Sequence, residues 1–110
     1  MKHLLLLVAL IFAGATTMAQ NRPESFNYKR GLEGIQNENL DEALEYFNKD
    51  LKENTKNGYS YSWIAMIYNR NEEYGKALNA ANMAIKYLPK KDQEYIEFAY
   101  ATRGNIYLNL

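Results

Sequence analysis

The chain has 110 residues, 13 basic and 13 acidic, so its formal net charge is zero. That length allows one small domain or part of a larger one, and the balanced charge lacks the basic excess that marks a nucleic-acid binder. There is no cysteine, and the single histidine is His3, so no disulfide framework and no His/Cys metal cluster can be written.

Lys2 opens a leader in which Leu4 to Ala13 is unbroken and apolar, followed by small residues around Thr17-Met18-Ala19. This is the pattern of a secretory signal peptide over residues 1–19, cut ahead of Gln20. A transmembrane anchor is the competing reading, but the apolar run ends at Ala15, short of the roughly 18–20 residues that span a bilayer. The leader resembles those of exported proteins of Bacteroides-like Gram-negative bacteria, which end in Ala-Gln. That resemblance implies an exported, periplasmic protein whose only membrane contact is through the transient leader. Cleavage removes one lysine and His3 and leaves a net charge of −1.

Residues 20–23 read as a polar lead-in. Pro23 suits the first turn of a helix, so the first helix is predicted from about Pro23 to Asn37, with Tyr28, Leu32 and Ile35 on its apolar face. Gly31 and Gly34 weaken it by about 1 kcal/mol each relative to alanine. Asn39 caps the second helix, and Glu42 completes a capping box. Leu40, Ala43, Leu44, Phe47 and Leu51 then form one continuous face. Thr55-Lys56-Asn57-Gly58 reads as a turn.

The third helix is predicted from about Tyr59 to Arg70. Tyr61, Ile64, Ala65 and Tyr68 lie on one side of it, and Trp63, Met66 and Ile67 elsewhere, so it is buried from more than one direction. The fourth helix places Tyr74, Ala77, Leu78, Ala81, Ile85 and Leu88 at helical spacing and stops at Pro89. Asp92 caps a fifth helix, from about Gln93 onward.

Two of these stretches repeat. Asn71-Glu72-Glu73-Tyr74-Gly75-Lys76-Ala77-Leu78 follows the pattern of Asn37-Glu38-Asn39-Leu40-Asp41-Glu42-Ala43-Leu44, with the Asn, first Glu, Ala and Leu identical in both. Recurrence at a fixed period of this kind marks stacked helical units. Tyr61, Ile64, Ala65, Tyr68, Tyr74, Ala77, Ala84 and Pro89 resemble the signature of the tetratricopeptide repeat. The first unit matches through Gly31, Leu40, Ala43 and Phe47 and departs at Asn27, Gly34, Asp50 and Thr55. The third matches through Tyr100, Gly104 and Tyr107, displaced by a short insertion ahead of it.

The resemblance implies an all-α, helix–turn–helix solenoid over 24–110. It has about two and a half repeats and five helices, in units of about 24–57 and 58–91 with a partial 92–110. It further implies a concave groove showing Tyr28, Leu32, Tyr59, Ser62, Met66, Asn69, Arg70, Asn105 and Asn109. Such a mixed surface with one arginine suits a peptide or a partner helix; the same residues also suit a solvated inner face or packing on a neighbouring unit. The Lys/Asn carboxylate clamp of one branch of the family is absent, its places being held by Tyr28, Leu32 and Trp63.

Catalytic signals are poor: no His-based triad, no thiolate, no metal cluster and no Gly-rich phosphate loop. Asp41-Glu42 and Glu72-Glu73 pair carboxylates, but acids in a first helical turn answer the helix dipole. Lys90-Lys91 follows a helix C-terminus, where cations are favoured for the same reason.

The expected role is therefore a non-catalytic, cofactor-free scaffold for a protein or peptide partner, without nucleic acid. Two rivals are the N-terminal portion of a longer exported protein, with a catalytic or sensor domain beyond residue 110, and a small enzyme. Because such stacks need about three units, Tyr107 and its apolar neighbours are expected to stand partly exposed. Either more repeats follow, or the C-terminal helix docks on another chain, including a second copy.

Overall fold

The computed structural model describes residues 22–110, so the leader read over 1–19 lies outside the described residues. Among these the chain is all-helical, with five helices: α1 Phe26–Gln36, α2 Leu40–Glu53, α3 Gly58–Arg70, α4 Tyr74–Tyr87 and α5 Gln93–Asn109. None is long and apolar enough to cross a membrane.

The caps explain most boundaries. Asn39 accepts the Glu42 N–H, Asn57 those of Tyr59 and Ser60, and Asp92 that of Tyr95. Each satisfies an orphan donor of a first turn. Helix α1 starts at Phe26, later than Pro23 predicts. Ser25 is its N-cap in extended conformation, and the Ser25 hydroxyl is drawn away to the Asp50 carboxylate.

The turns after α1 and α3 are the same structure twice. Asn39 N–H reaches the Gly34 carbonyl at 2.8 Å and Glu38 N–H that of Ile35 at 3.1 Å. At the matching place after α3, Glu73 N–H reaches Tyr68 at 2.9 Å and Glu72 N–H reaches Asn69 at 3.0 Å. This is the Schellman arrangement, which needs a left-handed residue after the helix. Glu38 and Glu72 supply it, at φ of 57° and 63°.

The connections are short, so consecutive helices run antiparallel. Neighbours pack in order, and α3 also touches α5. Gly31 and Gly34, weak helix formers, are required by the α1–α2 contact. A Cβ on Gly31 would stand 2.5 Å from the Phe47 ring, and one on Gly34 would stand 2.8 Å from the Ala43 methyl.

The core follows α3, which is buried along most of its length, Trp63 completely. Its indole stacks on Phe47 and meets Tyr95 and Phe98 at 5.9 and 5.1 Å. Ala77, Ala81 and Ala84 are fully buried on α4, small enough to let that helix lie close against its neighbours.

Candidate functional site

Of the nine residues assigned to a concave groove, five are buried. Tyr28, Tyr59, Ser62, Met66 and Asn69 are buried; Leu32 and Arg70 are half-buried; only Asn105 and Asn109 are exposed. At the buried positions the side chains pack inside the bundle, Tyr28 and Tyr59 through ring contacts among α1, α3 and α5 and Asn69 through its bond to Asn105 of α5. The Tyr28 and Tyr95 hydroxyls stand 3.3 Å apart across the gap, and Trp63 Nε1 donates to the Tyr28 hydroxyl at 3.3 Å. Tyr59 meets Tyr28 edge-on at 6.3 Å and Tyr95 at 4.7 Å. These aromatic rings pack on one another in the core, and the Ser62 hydroxyl donates to the Gly58 carbonyl at 2.9 Å.

The polar remainder gathers at one end of the bundle, where α1, α3 and α5 finish. Asn69 donates through Nδ2 to Asn105 Oδ1 at 2.7 Å. Asn109 donates to Asn69 at 3.1 Å and to Asn105 at 3.3 Å. Arg70 is the last residue of α3. Its Nη1, and Thr102 Oγ1 one turn before Asn105, are buried without a hydrogen-bond partner among the described residues. Three residues assigned to the groove thus do meet, but as a ladder between α3 and α5.

The opposite end, where α1, α3 and α5 begin, holds two buried carboxylates, which read in the sequence only as a departure from the repeat signature (Asp50) and a helix cap (Asp92). Asp50 is fully buried. Its Oδ1 accepts from the Ser25 hydroxyl at 2.7 Å and from Asn54 at 2.8 Å; its Oδ2 accepts from Asn57 and the Ser60 hydroxyl, both at 2.7 Å. Burial pushes this carboxyl up, but the four donors outweigh it and hold its pKa below the ordinary value.

Asp92 is anchored equally fully. Arg22 grips it with Nε to Oδ2 at 2.9 Å and Nη2 to Oδ1 at 3.0 Å, the Tyr59 hydroxyl donates to Oδ2 at 2.8 Å, and the Tyr95 N–H to Oδ1 at 3.4 Å. Burial again raises the carboxyl, and the Arg22 and Tyr59 hydrogen bonds with the guanidinium charge bring it below the usual range. The guanidinium also lies over the Tyr95 ring, 4.6 Å from its centre.

Each carboxylate has about four lone-pair sites, and all are taken. Both are anionic near neutrality and saturated, which suits joining helices and leaves no proton to give. Asp50 could have been suspected as an acid on the inner stripe with Ala43 and Phe47, close in sequence to Asn54, Asn57 and Ser60. Arg22 carried no such signal, because its partner Asp92 stands at the far end of the sequence, ahead of the last helix.

An open depression of about 640 Å³ lies beside these anchors, lined by Arg22, Ser25, Asn54, Asn57, Tyr59 and Tyr87 among others. The polar groups of Arg22, Ser25, Asn54 and Asn57 are committed to Asp92 or Asp50. A third surface is apolar: Tyr100, Tyr107 and Leu108 on α5 are 49%, 56% and 85% exposed, as expected from the sequence for Tyr107 and its neighbours. No family model, curated protein or solved structure matches the chain.

Proposed function

We propose that this chain is an exported, tetratricopeptide-like helical repeat module that acts as a non-catalytic scaffold, holding a peptide or helix of a protein partner. The observation that carries this reading is the duplicated turn. The same two backbone hydrogen bonds and the same left-handed glutamate recur after α1 and after α3. They join pairs of helices packed through small residues, Gly34 on Ala43 and the buried Ala65 and Ala77 in the next pair. Repeated units of this kind serve as rigid supports for binding surfaces.

The binding surface in this reading is what remains accessible along α1, α3 and α5: Leu32, Arg70, Asn105 and Asn109. Leu32 supplies an apolar contact. The asparagine amides offer donors and acceptors that match a peptide backbone, and the Arg70 guanidinium suits a carbonyl or carboxylate of the partner. The saturated state of Asp50 and Asp92 favours a supporting role for the carboxylates over an acid–base role.

The test is selection of binding peptides on the purified protein, followed by Arg70→Glu and Asn109→Ala. Loss of one charge-assisted hydrogen bond should weaken a selected peptide by roughly tenfold or more, with helical circular dichroism intact, while Asn109→Ala also lowers the melting temperature because it removes the bonds to Asn69 and Asn105. Peptides that bind the folded double variant as well as the parent would overturn the assignment of this surface.

A further inference from the structure

We propose that the outer face of α5 is the contact through which two copies of this chain pair, antiparallel, with Gly104 of each copy at the twofold axis. Helix α5 is apolar on two sides. Its inner side carries Tyr95, Phe98, Ala99, Thr102 and Ile106, all buried. Its outer side carries Tyr100, Ala101, Gly104, Tyr107 and Leu108, all exposed. Those positions fall at i, i+1, i+4, i+7 and i+8, a second complete stripe at helical spacing.

Helix α3 shows what such a stripe meets when it is covered. Tyr61, Ala65 and Tyr68 repeat the order aromatic, small, aromatic at the same spacing as Tyr100, Gly104 and Tyr107. Ala65 is buried, the Tyr61 ring stacks on Tyr87 of α4 at 6.2 Å, and Lys76 of α4 lies over Tyr68. The α5 stripe has the same form, and no helix among the described residues lies on it. A Cβ built on Gly104 would meet nothing within 4 Å, so another helix has room to approach the backbone there.

The stripe is complementary to its own reverse, which selects a second copy as its occupant. In an antiparallel pair centred on Gly104, positions equally far before and after it face each other. Tyr100 then meets Leu108 of the second copy, Ala101 meets its Tyr107, and Gly104 meets its Gly104. The Tyr107 ring falls opposite a methyl, the Tyr100 ring opposite a leucine, and bare backbone opposite bare backbone, the self-matching that a twofold interface requires. Between Tyr100 and Leu108 the stripe itself carries no charge, and Glu97, exposed one turn earlier on the same face, borders it. Arg103 is folded over the Tyr100 ring at 5.0 Å and bound to Asn82 at 3.0 Å.

The area fits a modest dimer. At the scale of about 150–250 Å² for a buried aromatic side chain, the half-exposed tyrosines with Leu108 offer roughly 350 Å² of apolar surface per copy, the size of the largest patch on a typical monomer, which is often functional. Two such patches together come to about 700 Å² of apolar surface, below the roughly 1,200 Å² at which stable specific interfaces begin. The pairing is therefore weak and concentration-dependent. It uses none of the Arg70 rim, so the two proposals succeed or fail separately.

Cysteine placement tests it, in a protein with no cysteine of its own. Under mild oxidation Gly104→Cys should form a disulfide-linked dimer, and a mixture of Tyr100→Cys and Leu108→Cys chains should form the mixed disulfide. Lys49→Cys, exposed on α2, should form neither at comparable rates. Sedimentation should show a monomer–dimer equilibrium shifted to monomer by Tyr107→Glu, with the helical circular dichroism intact. Crosslinking of Gly104→Cys no faster than Lys49→Cys would overturn the proposal. So would a parent that stays monomeric at millimolar concentration while a foreign amphipathic helix shields Gly104→Cys from a thiol reagent, because the stripe would then belong to a different partner.

Discussion

The two ends of the bundle treat polar groups in opposite ways. Where α1, α3 and α5 begin, Asp50 and Asp92 are buried charges, yet every oxygen is filled by donors from several elements. Where those helices finish, Glu38 and Glu72 sit in left-handed backbone, Thr102 Oγ1 and Arg70 Nη1 are buried without partners among the described residues, and Tyr107 and Leu108 face outward. One end is locked by side-chain chemistry, and the other carries the accumulated local costs. An unmet hydrogen bond or an uncovered ring is tolerated only where the rest of the fold outweighs it. The locked end therefore supports the surfaces proposed to meet partners at the other.

Substitutions at the two ends should differ in sign. The largest effect is expected for Asp50→Ala, which strands four donors on the segments around α1, α2 and α3 and should cost about 3–4 kcal/mol in urea unfolding. A neutral outcome would break the contrast at once. Asp92→Ala should cost about 2–3 kcal/mol, less than Asp50→Ala, because Arg22 precedes α1 and can turn to water while Tyr59 and the α5 cap lose their acceptor.

Acidity probes both carboxylates together. Their folded pKa values lie below the ordinary one. Their contribution is therefore complete above the unfolded value near about pH 4 and lost as pH falls through the folded values. The buried phenols behave in the reverse sense. Burial raises Tyr28, Tyr59 and Tyr95, so their contribution is complete below about pH 10 and lost as pH climbs toward the raised values. Melting temperature against pH should show a plateau with falls on both sides, and Asp92→Ala should flatten part of the acid limb.

At the other end, substitutions should stabilise. Thr102→Val removes a buried hydroxyl without a partner and keeps the shape, for a gain of about 1 kcal/mol. Glu72→Gly relieves the left-handed backbone against a more flexible unfolded chain, for a gain of a few tenths to about 1 kcal/mol. Both are read from thermal melting, and a loss of stability in either would place strain and unmet bonding somewhere other than this end.

Local signals in the sequence translated well. Asn39, Asp92, Pro89 and the spacing of Ala77, Leu78 and Ala81 marked helices to within a residue or two, because caps and stripes act within one or two turns. Longer-range chemistry was not legible. Asp50 reads as a misfit on a helix and Arg22 as part of a polar lead-in until their partners are brought beside them. Glu38 and Glu72 have no conformational mark of their own; in the sequence Glu72-Glu73 reads as acids of a first helical turn, whereas both precede α4, Glu72 in left-handed backbone and Glu73 as the N-cap. Five of the nine groove positions are interior because a face available on an isolated helix is covered once its neighbours pack on it.

The Arg22–Asp92 fork has a consequence for how the molecule comes apart. The principal helix packing joins elements that are neighbours or next neighbours along the chain. A row connected only in that way frays from its ends, its outermost helix opening while the rest stays closed. The fork and the Tyr28–Tyr95 contact tie the segment before α1, and α1 itself, to the first turns of α5. Opening the last helix then loosens the first. Amide exchange across α1 and α5 should follow a single cooperative event, as in a closed ring, and the fork should be the point at which partial unfolding becomes global.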